Sequence, residues 1–426
     1  MQKSLLFKGA NRALLLATIA FGANFSVWIL FAVLALELQT TLSLSALELG
    51  MLFASPMLTG ALLRIPAGFL ADKYNPKMLF VLQMLTVVPS LLLLPSAHSL
   101  ADHMLLGLWI GVSGTSFTFG IRYITDWFER SQQGTAMGIF GAGNAGAALT
   151  LAAVPSIVEH LGWATIGPIY ATGLLLTAFV FLWLAPTRPA QANKVSYTAT
   201  PLTLKQIVST LQIWRFSLYY YFVFGSFLAL ILWLPQYYVN AYGLSAKQAM
   251  AFTLFFAATS SMVRALGGWF ADRYGGRSVN WTVFWTCLVC LFFLSYPPTS
   301  MTIHGVHSDV LLTIEVNVWV FTALIFVIGI AQGFGRASVY KIINDYYPQQ
   351  MGSVGGFVAA MGALGGCTLP LAFGLVVDGV GIYSACFMLL YGVLAICMIA
   401  MFFAHKSDRF QQRLSQAQSH NFLDSE

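Results

Sequence analysis

The chain has 426 residues, of which 58% are hydrophobic and only 8% charged, and its formal net charge is +6. A soluble domain carries roughly a quarter charged residues, so this composition excludes a water-facing globule. The five cysteines (Cys287, Cys290, Cys367, Cys386 and Cys397) build no disulfide framework, which excludes a disulfide-stapled secreted scaffold.

Mostly apolar stretches of about 20 residues, the length a bilayer core demands, follow one another along the chain. They predict an all-α polytopic membrane protein with twelve spans, near 12–38, 46–71, 78–97, 103–127, 134–157 and 163–185, then 214–239, 246–271, 280–296, 317–344, 352–377 and 382–404. The first run continues past Trp28 to Leu38, so it reads as span 1 rather than a cleavable signal peptide. Between spans 6 and 7 lies a polar connector, PTRPAQANKVSYTATPLTLKQ. The expected organisation is a six-helix half over 1–185, a linker over 186–212, a second six-helix half over 213–405 and a tail over 406–426. The Cys287–Cys290 pair sits inside the apolar run of span 9, where two small packing residues are the simpler reading than a metal or redox motif.

Lysines and arginines gather in alternate loops. Lys3, Lys8 and Arg12 precede span 1, Lys73 and Lys77 follow span 2, and Arg130 follows span 4. Arg188, Lys194 and Lys205 occupy the connector, Arg273 and Arg277 follow span 8, and Lys406, Arg409 and Arg413 close the chain. The opposite loops hold essentially only Lys247. By the positive-inside rule both termini are expected in the cytoplasm, and the basic balance needs no nucleic-acid partner.

The two halves repeat. LSALELG (44–50) recurs as LSAKQAM (244–250), and LRIPAGFLADKYNPK (63–77) recurs as VRALGGWFADRYGGR (263–277), both offset by 200 residues. Ser45 with Glu48, and Ser245 with Gln248, are capping boxes that start helices. GTAMGIFGAGNAGA (134–147) pairs with GSVGGFVAAMGALGG (352–366) at an offset of about 218, the extra length fitting a longer outer loop near 297–316. Secondary transporters built from such repeats bind substrate between the halves near the midplane.

Gly68–Asp72–Lys73–Asn75–Lys77 and Gly268–Asp272–Arg273–Gly275–Arg277 resemble the loop motif of the major facilitator superfamily. Within it, the chain is similar to the nitrate/nitrite porter family. The likeness runs through Trp28, GALLRIPAG (60–68), GTSF (114–117), FGAGNAG (140–146), FGSF (224–227) and SVYK followed by GSVGGFVAAMGALGG in spans 10 and 11. This resemblance implies a transporter of a small oxyanion that works by alternating access, as anion exchange or proton symport. A monomer in the inner or plasma membrane suffices, without metal or cofactor. Asn144 corresponds to the signature asparagine, whose amide can donate to the anion. Phe117, Tyr220 and Phe224 match aromatics that sandwich it, and Lys341 matches a basic residue at the cytoplasmic mouth. The alternative for Asn144 and for the three aromatics is plain helix packing.

Arg64 and Arg264 stand eight residues before the motif aspartates Asp72 and Asp272, roughly 12 Å up their helices. A charge at that depth costs about 2.5–3.5 kcal/mol on insertion scales. The cost makes sense if an anion visits between them, because guanidinium pairs its donors with planar oxyanions. Arg122 and Arg336 depart from the family pattern. Each is expected nearer the cytoplasm than the pair, either snorkelling or opening the path to a larger anion such as a polycarboxylate. No Asp, Glu or His falls in mid-span by this placement, which favours exchange over a proton relay. No HExxH or GxSxG motif points to an enzyme.

Overall fold

A computed structural model describes residues 2–125, 127–129, 132–187, 202–304, 306, 308–348 and 350–423. The connector residues 188–201 lie outside it, and with them Arg188 and Lys194; Arg130 also falls outside, as do the side chains of Lys3, Lys8, Arg409 and Arg413.

Among the described residues, twelve helical spans are long and apolar enough to cross a membrane. Span 1 is Gly9–Thr41, span 2 Ala46–Lys73, span 3 Pro76–Ser96, span 4 Leu100–Thr125, span 5 Gln133–Leu161 and span 6 Trp163–Leu184. Span 7 is Leu211–Tyr242, span 8 Ala246–Tyr274, span 9 Gly276–Leu294, span 10 Val318–Tyr346, span 11 Met351–Val380 and span 12 Ala385–Ala404. The order and number match the apolar runs. A short helix, Leu204–Ser209, precedes span 7 and starts at a Thr203–Gln206 capping box. Both Ser45–Glu48 and Ser245–Gln248 form complete capping boxes, so the repeated tripeptide signal starts spans 2 and 8 in the same way. Span 7 stops at Gly243 and span 11 at Gly381, both left-handed, a conformation that side chains with a Cβ resist.

The outer loop holds an element that the sequence reading missed. Thr299–His304 (β1) and Asp309–Ile314 (β2) pair as an antiparallel hairpin, with Thr299 opposite Ile314. The CxxC of span 9 is packing: Cys287 and Cys290 are both buried and unbridged.

Five spans are interrupted, and the interruptions position the centre. Span 1 breaks after Trp28, and span 2 breaks at Leu63, immediately before Arg64. Span 4 tightens to a 3-10 turn over Gly111–Thr115, and span 5 does so over Ala142–Ala145, inside the GAGNAG signature. Span 7 widens to a π-turn over Tyr221–Gly225. Such departures from the α-helix often mark functional positions, and broken helices at mid-depth supply backbone groups to transporter sites.

Spans 2 and 11 run against each other along their length, as do spans 5 and 8. At the loop-motif end the approach is backbone to backbone. A side-chain carbon on Gly68 would stand 3.0 Å from the Gly352 carbonyl, and one on Gly268 would stand 2.8 Å from the Gly134 carbonyl. At the far end, Asp378 of span 11 accepts hydrogen bonds from the Ala46 and Leu47 amides at 3.3 and 2.8 Å. That carboxylate caps the first turn of span 2 and ties the far ends of the two spans together.

Candidate functional site

Arg64 and Arg264 are 0% and 1% exposed. The Arg64 Nε donates to the Gly114 carbonyl of span 4 and its Nη1 to the Ala359 carbonyl of span 11, both at 2.9 Å. Its Nη2 is buried without a partner. The rings of Trp28, Phe224 and Phe117 surround this guanidinium at 4.9, 5.3 and 5.6 Å. The Arg264 guanidinium lies 5.3 Å from the same Phe117 ring, so Phe117 contacts both arginines. The Arg264 Nε is also buried without a partner. Gly141 makes room for it, because a side-chain carbon there would overlap the guanidinium.

Tyr220 stacks on Phe224 at 5.1 Å, and its hydroxyl is a third buried polar group without a partner. Tyr340, which sequence reasoning did not single out, closes the ring of aromatics. It meets Tyr220 at 5.1 Å and Phe117 at 5.5 Å edge-on, and its hydroxyl donates to the Gly355 carbonyl. Trp28 sits against span 2, with its indole donating to the Pro56 carbonyl at 2.9 Å. All six sequence-predicted substrate residues therefore meet in one buried cluster. No Asp or Glu is buried among the described residues.

Arg336 overturns its sequence placement. It is 0% exposed and does not snorkel to the motif end. Its guanidinium lies 3.6 Å from the Phe227 ring centroid, its Nη2 donates to the Ser260 carbonyl and hydroxyl, and its Nε donates to the Gln332 carbonyl. Oriented by its neighbours, the Asn144 amide presents Oδ1 to Arg264 Nη1 at 3.1 Å and to Arg336 Nη1 at 2.7 Å. The amide oxygen thus accepts from two cations, while the NH2 group is the part of the side chain that can donate to an anion. The oxygen offsets part of the repulsion between the two cations. Gln332 passes the network on to Ser226 at 2.7 Å, beside the π-turn of span 7.

Arg122 and Lys341 lie at the loop-motif end, each paired with a motif aspartate. Arg122 Nε pairs with Asp72 at 2.9 Å, and Lys341 Nζ pairs with Asp272 at 3.3 Å and with Asp345 at 3.1 Å. Thr135 of span 5 adds a hydrogen bond to Asp272 at 3.1 Å, while Asp72 lies against Gly352 at the start of span 11. In each half the motif aspartate thus joins a basic residue of its own half to a span of the other. Lys73 and Arg273 lie outside these pairs, over the rings of Tyr74 and of Trp269 and Tyr274. Between Arg122 and Phe117 runs a crevice of about 20 Å³ that Tyr340 and Gly356 also line, space for one water. On the other side of the cluster, a cavity of about 140 Å³ is lined by Trp233, Gln236 and Asp378. Trp233, between Phe224 and Gln236 on span 7, packs on Phe53 and Phe373.

Residues 16–316 match the family model described as Major Facilitator Superfamily. A protein of Thermus thermophilus named "Probable nitrate/nitrite antiporter NarK1" is 35% identical over 92% of this chain and 90% of its own. The "Nitrite extrusion protein" of Bacillus subtilis is 29% identical over 94% of this chain and 97% of its own. The "Probable nitrate transporter NarT" of Staphylococcus carnosus is 28% identical over 92% and 95%. Among solved structures, a bacterial homologue of the human lysosomal transporter Spinster, in an inward-facing and occupied conformation, superposes with a TM-score of 0.66. It covers 93% of this chain and 96% of its own at 15% identity, a likeness of fold alone. The chain is thus a multi-pass membrane transporter that belongs to the major facilitator superfamily and, within it, to the nitrate/nitrite porter family.

Proposed function

We propose that this protein carries nitrate and nitrite across the bacterial inner membrane by alternating access, one planar anion at a time between Arg64 and Arg264. The observation that carries the reading is the set of unpartnered groups around Phe117 and Phe224: Arg64 Nη2, Arg264 Nε and the Tyr220 hydroxyl. Buried donors without acceptors cost roughly 1–3 kcal/mol each, more when charged. A planar oxyanion would satisfy all three and offset the charge of the two guanidiniums. Phe117, Phe224 and Tyr220 would confine it to a flat slot, and Asn144 would hold Arg264 ready for it.

Exchange of one anion for another is the favoured mode, with proton symport the alternative. What supports exchange is that every buried charge at the centre is a guanidinium. A site so charged reorients at least cost when an anion fills it. The basic loops favour cytoplasmic termini. Halves of six spans on either side of the 186–212 linker would rock about the site, and a monomer suffices. The test is uptake of labelled nitrate into proteoliposomes. Internal nitrite is expected to raise saturable uptake well above that of anion-free vesicles, whereas nitrate that neither moves nor competes would remove this reading.

One observation favours a second reading, a divalent organic anion: Arg336 adds a third buried guanidinium to the centre. Its donors to Ser260, Gln332 and Asn144 are already engaged, so it offers charge rather than free hydrogen bonds. Inhibition of nitrate uptake by a dicarboxylate at lower concentration than by nitrite would favour that reading.

The Asp378 cap is the device expected to hold the far end closed. Helix caps contribute about 0.5–2 kcal/mol. Asp378→Ala is therefore expected to speed labelling of a cysteine placed at Leu49, on the far cavity wall, by about fivefold. An unchanged labelling rate would remove the cap from the gating account.

A further inference from the structure

At the loop-motif end of the second half, spans 7, 9, 10 and 12 enclose a cavity of about 550 Å³. Its floor includes Phe216, Trp281, Met401 and Phe402, and its polar residues include Arg215 and Arg277. No acidic side chain among the described residues lines it. The Arg215 Nε is buried without a partner. The Arg277 guanidinium lies 5.2 Å from the Tyr346 ring and donates to its hydroxyl. This place is distinct from the anion site: Tyr219 lines it and faces Phe284, while the next residue, Tyr220, faces Phe224.

We propose that this cavity binds an anionic phospholipid, with an acyl chain among the aromatic and aliphatic residues and the phosphate at Arg215 and Arg277. Three features select that occupant. The depth is that of headgroups, since partly exposed Trp214 and Tyr346 stand at the loop-motif ends of spans 7 and 10, as in an interfacial aromatic belt. Two guanidiniums suit a phosphodiester, which accepts paired hydrogen bonds, and basic pockets between spans recognise anionic headgroups. A small soluble anion would gain nothing from the apolar floor. A choline headgroup would bring a third cation beside two arginines. The inference is independent of which anion the carrier moves.

Native mass spectrometry of the purified full chain, with phosphatidylglycerol and phosphatidylcholine of the same acyl chains added in equal amounts, tests it. Wild type is expected to retain at least about tenfold more phosphatidylglycerol, because both lipids present the phosphate but only phosphatidylcholine brings a cation up to the two arginines. Arg215→Gln with Arg277→Gln is expected to bring the two lipids level. Met401→Trp, which fills the cavity and leaves both charges, is expected to lower retention of phosphatidylglycerol as well. Equal retention by wild type, or a preference that survives the double substitution, overturns the proposal. So does a preference that emerges only when the segment after Ala404 is deleted, because the chain's own tail would then be the occupant.

Discussion

Arg64→Lys and Arg264→Lys are each expected to lower nitrate uptake about a hundredfold in a protein that still inserts and folds. Lysine keeps the charge but has one nitrogen where arginine has three. Arg64 spends two of its nitrogens on the Gly114 and Ala359 carbonyls and leaves Nη2 without a partner, the group that the proposed anion would take. A lysine ammonium cannot span both carbonyls and also reach the slot. Hydrogen bonds to charged groups contribute about 1.5–3 kcal/mol each, and the loss of two brings the expected factor to about a hundred or more. Labelled uptake, normalised to the amount of protein in the vesicle, checks it. Normal uptake by either variant would take the arginines out of the mechanism.

Arg336→Gln is expected to raise the apparent KM for nitrate about thirtyfold with a smaller change in the maximal rate. The guanidinium shares Asn144 Oδ1 with Arg264, so its charge stands within about 8 Å of an anion held by Arg264. At an effective permittivity of about 20, that attraction is about 2 kcal/mol. Arg336→Lys restores the charge without the paired contacts to Ser260 and Asn144, and is expected to fall between wild type and the glutamine variant. If the substrate is a dianion, Arg336→Gln will abolish competition by dicarboxylate and spare nitrate. An unchanged KM would make Arg336 a packing residue.

The spans were legible because bilayer thickness writes itself into run length, and the paired arginines because a 200-residue offset aligns them with matching motifs. Arg336 was legible as a residue but not as a place. Its repeat partner at an offset of 219 is Phe117, an aromatic, so no symmetry flagged it. Its depth depends on packing against Ser260 and Phe227 of other spans. The role of Arg122 follows from Asp72, 50 residues away on a neighbouring helix, a pairing that no local pattern records. Lys341 stands 219 positions after Arg122 and serves Asp272 in the same way, a symmetry visible only once both pairs are seen. The π-turn at Tyr221–Gly225 and the Thr299–Ile314 hairpin leave no periodicity for a sequence reader to find, since each is too short.

Binding at the centre is measurable without transport. A ligand that binds only the folded state stabilises it by about 2.7 kcal/mol at a hundred times its dissociation constant. Thermal unfolding of the purified protein in detergent, with nitrate titrated against chloride at constant ionic strength, therefore tests the central claim. A saturable rise in Tm specific to nitrate, present in wild type and absent in both Arg64→Lys and Arg264→Lys, is the predicted result. No nitrate-specific rise in wild type, or one that survives both substitutions, would contradict an anion site between the two arginines.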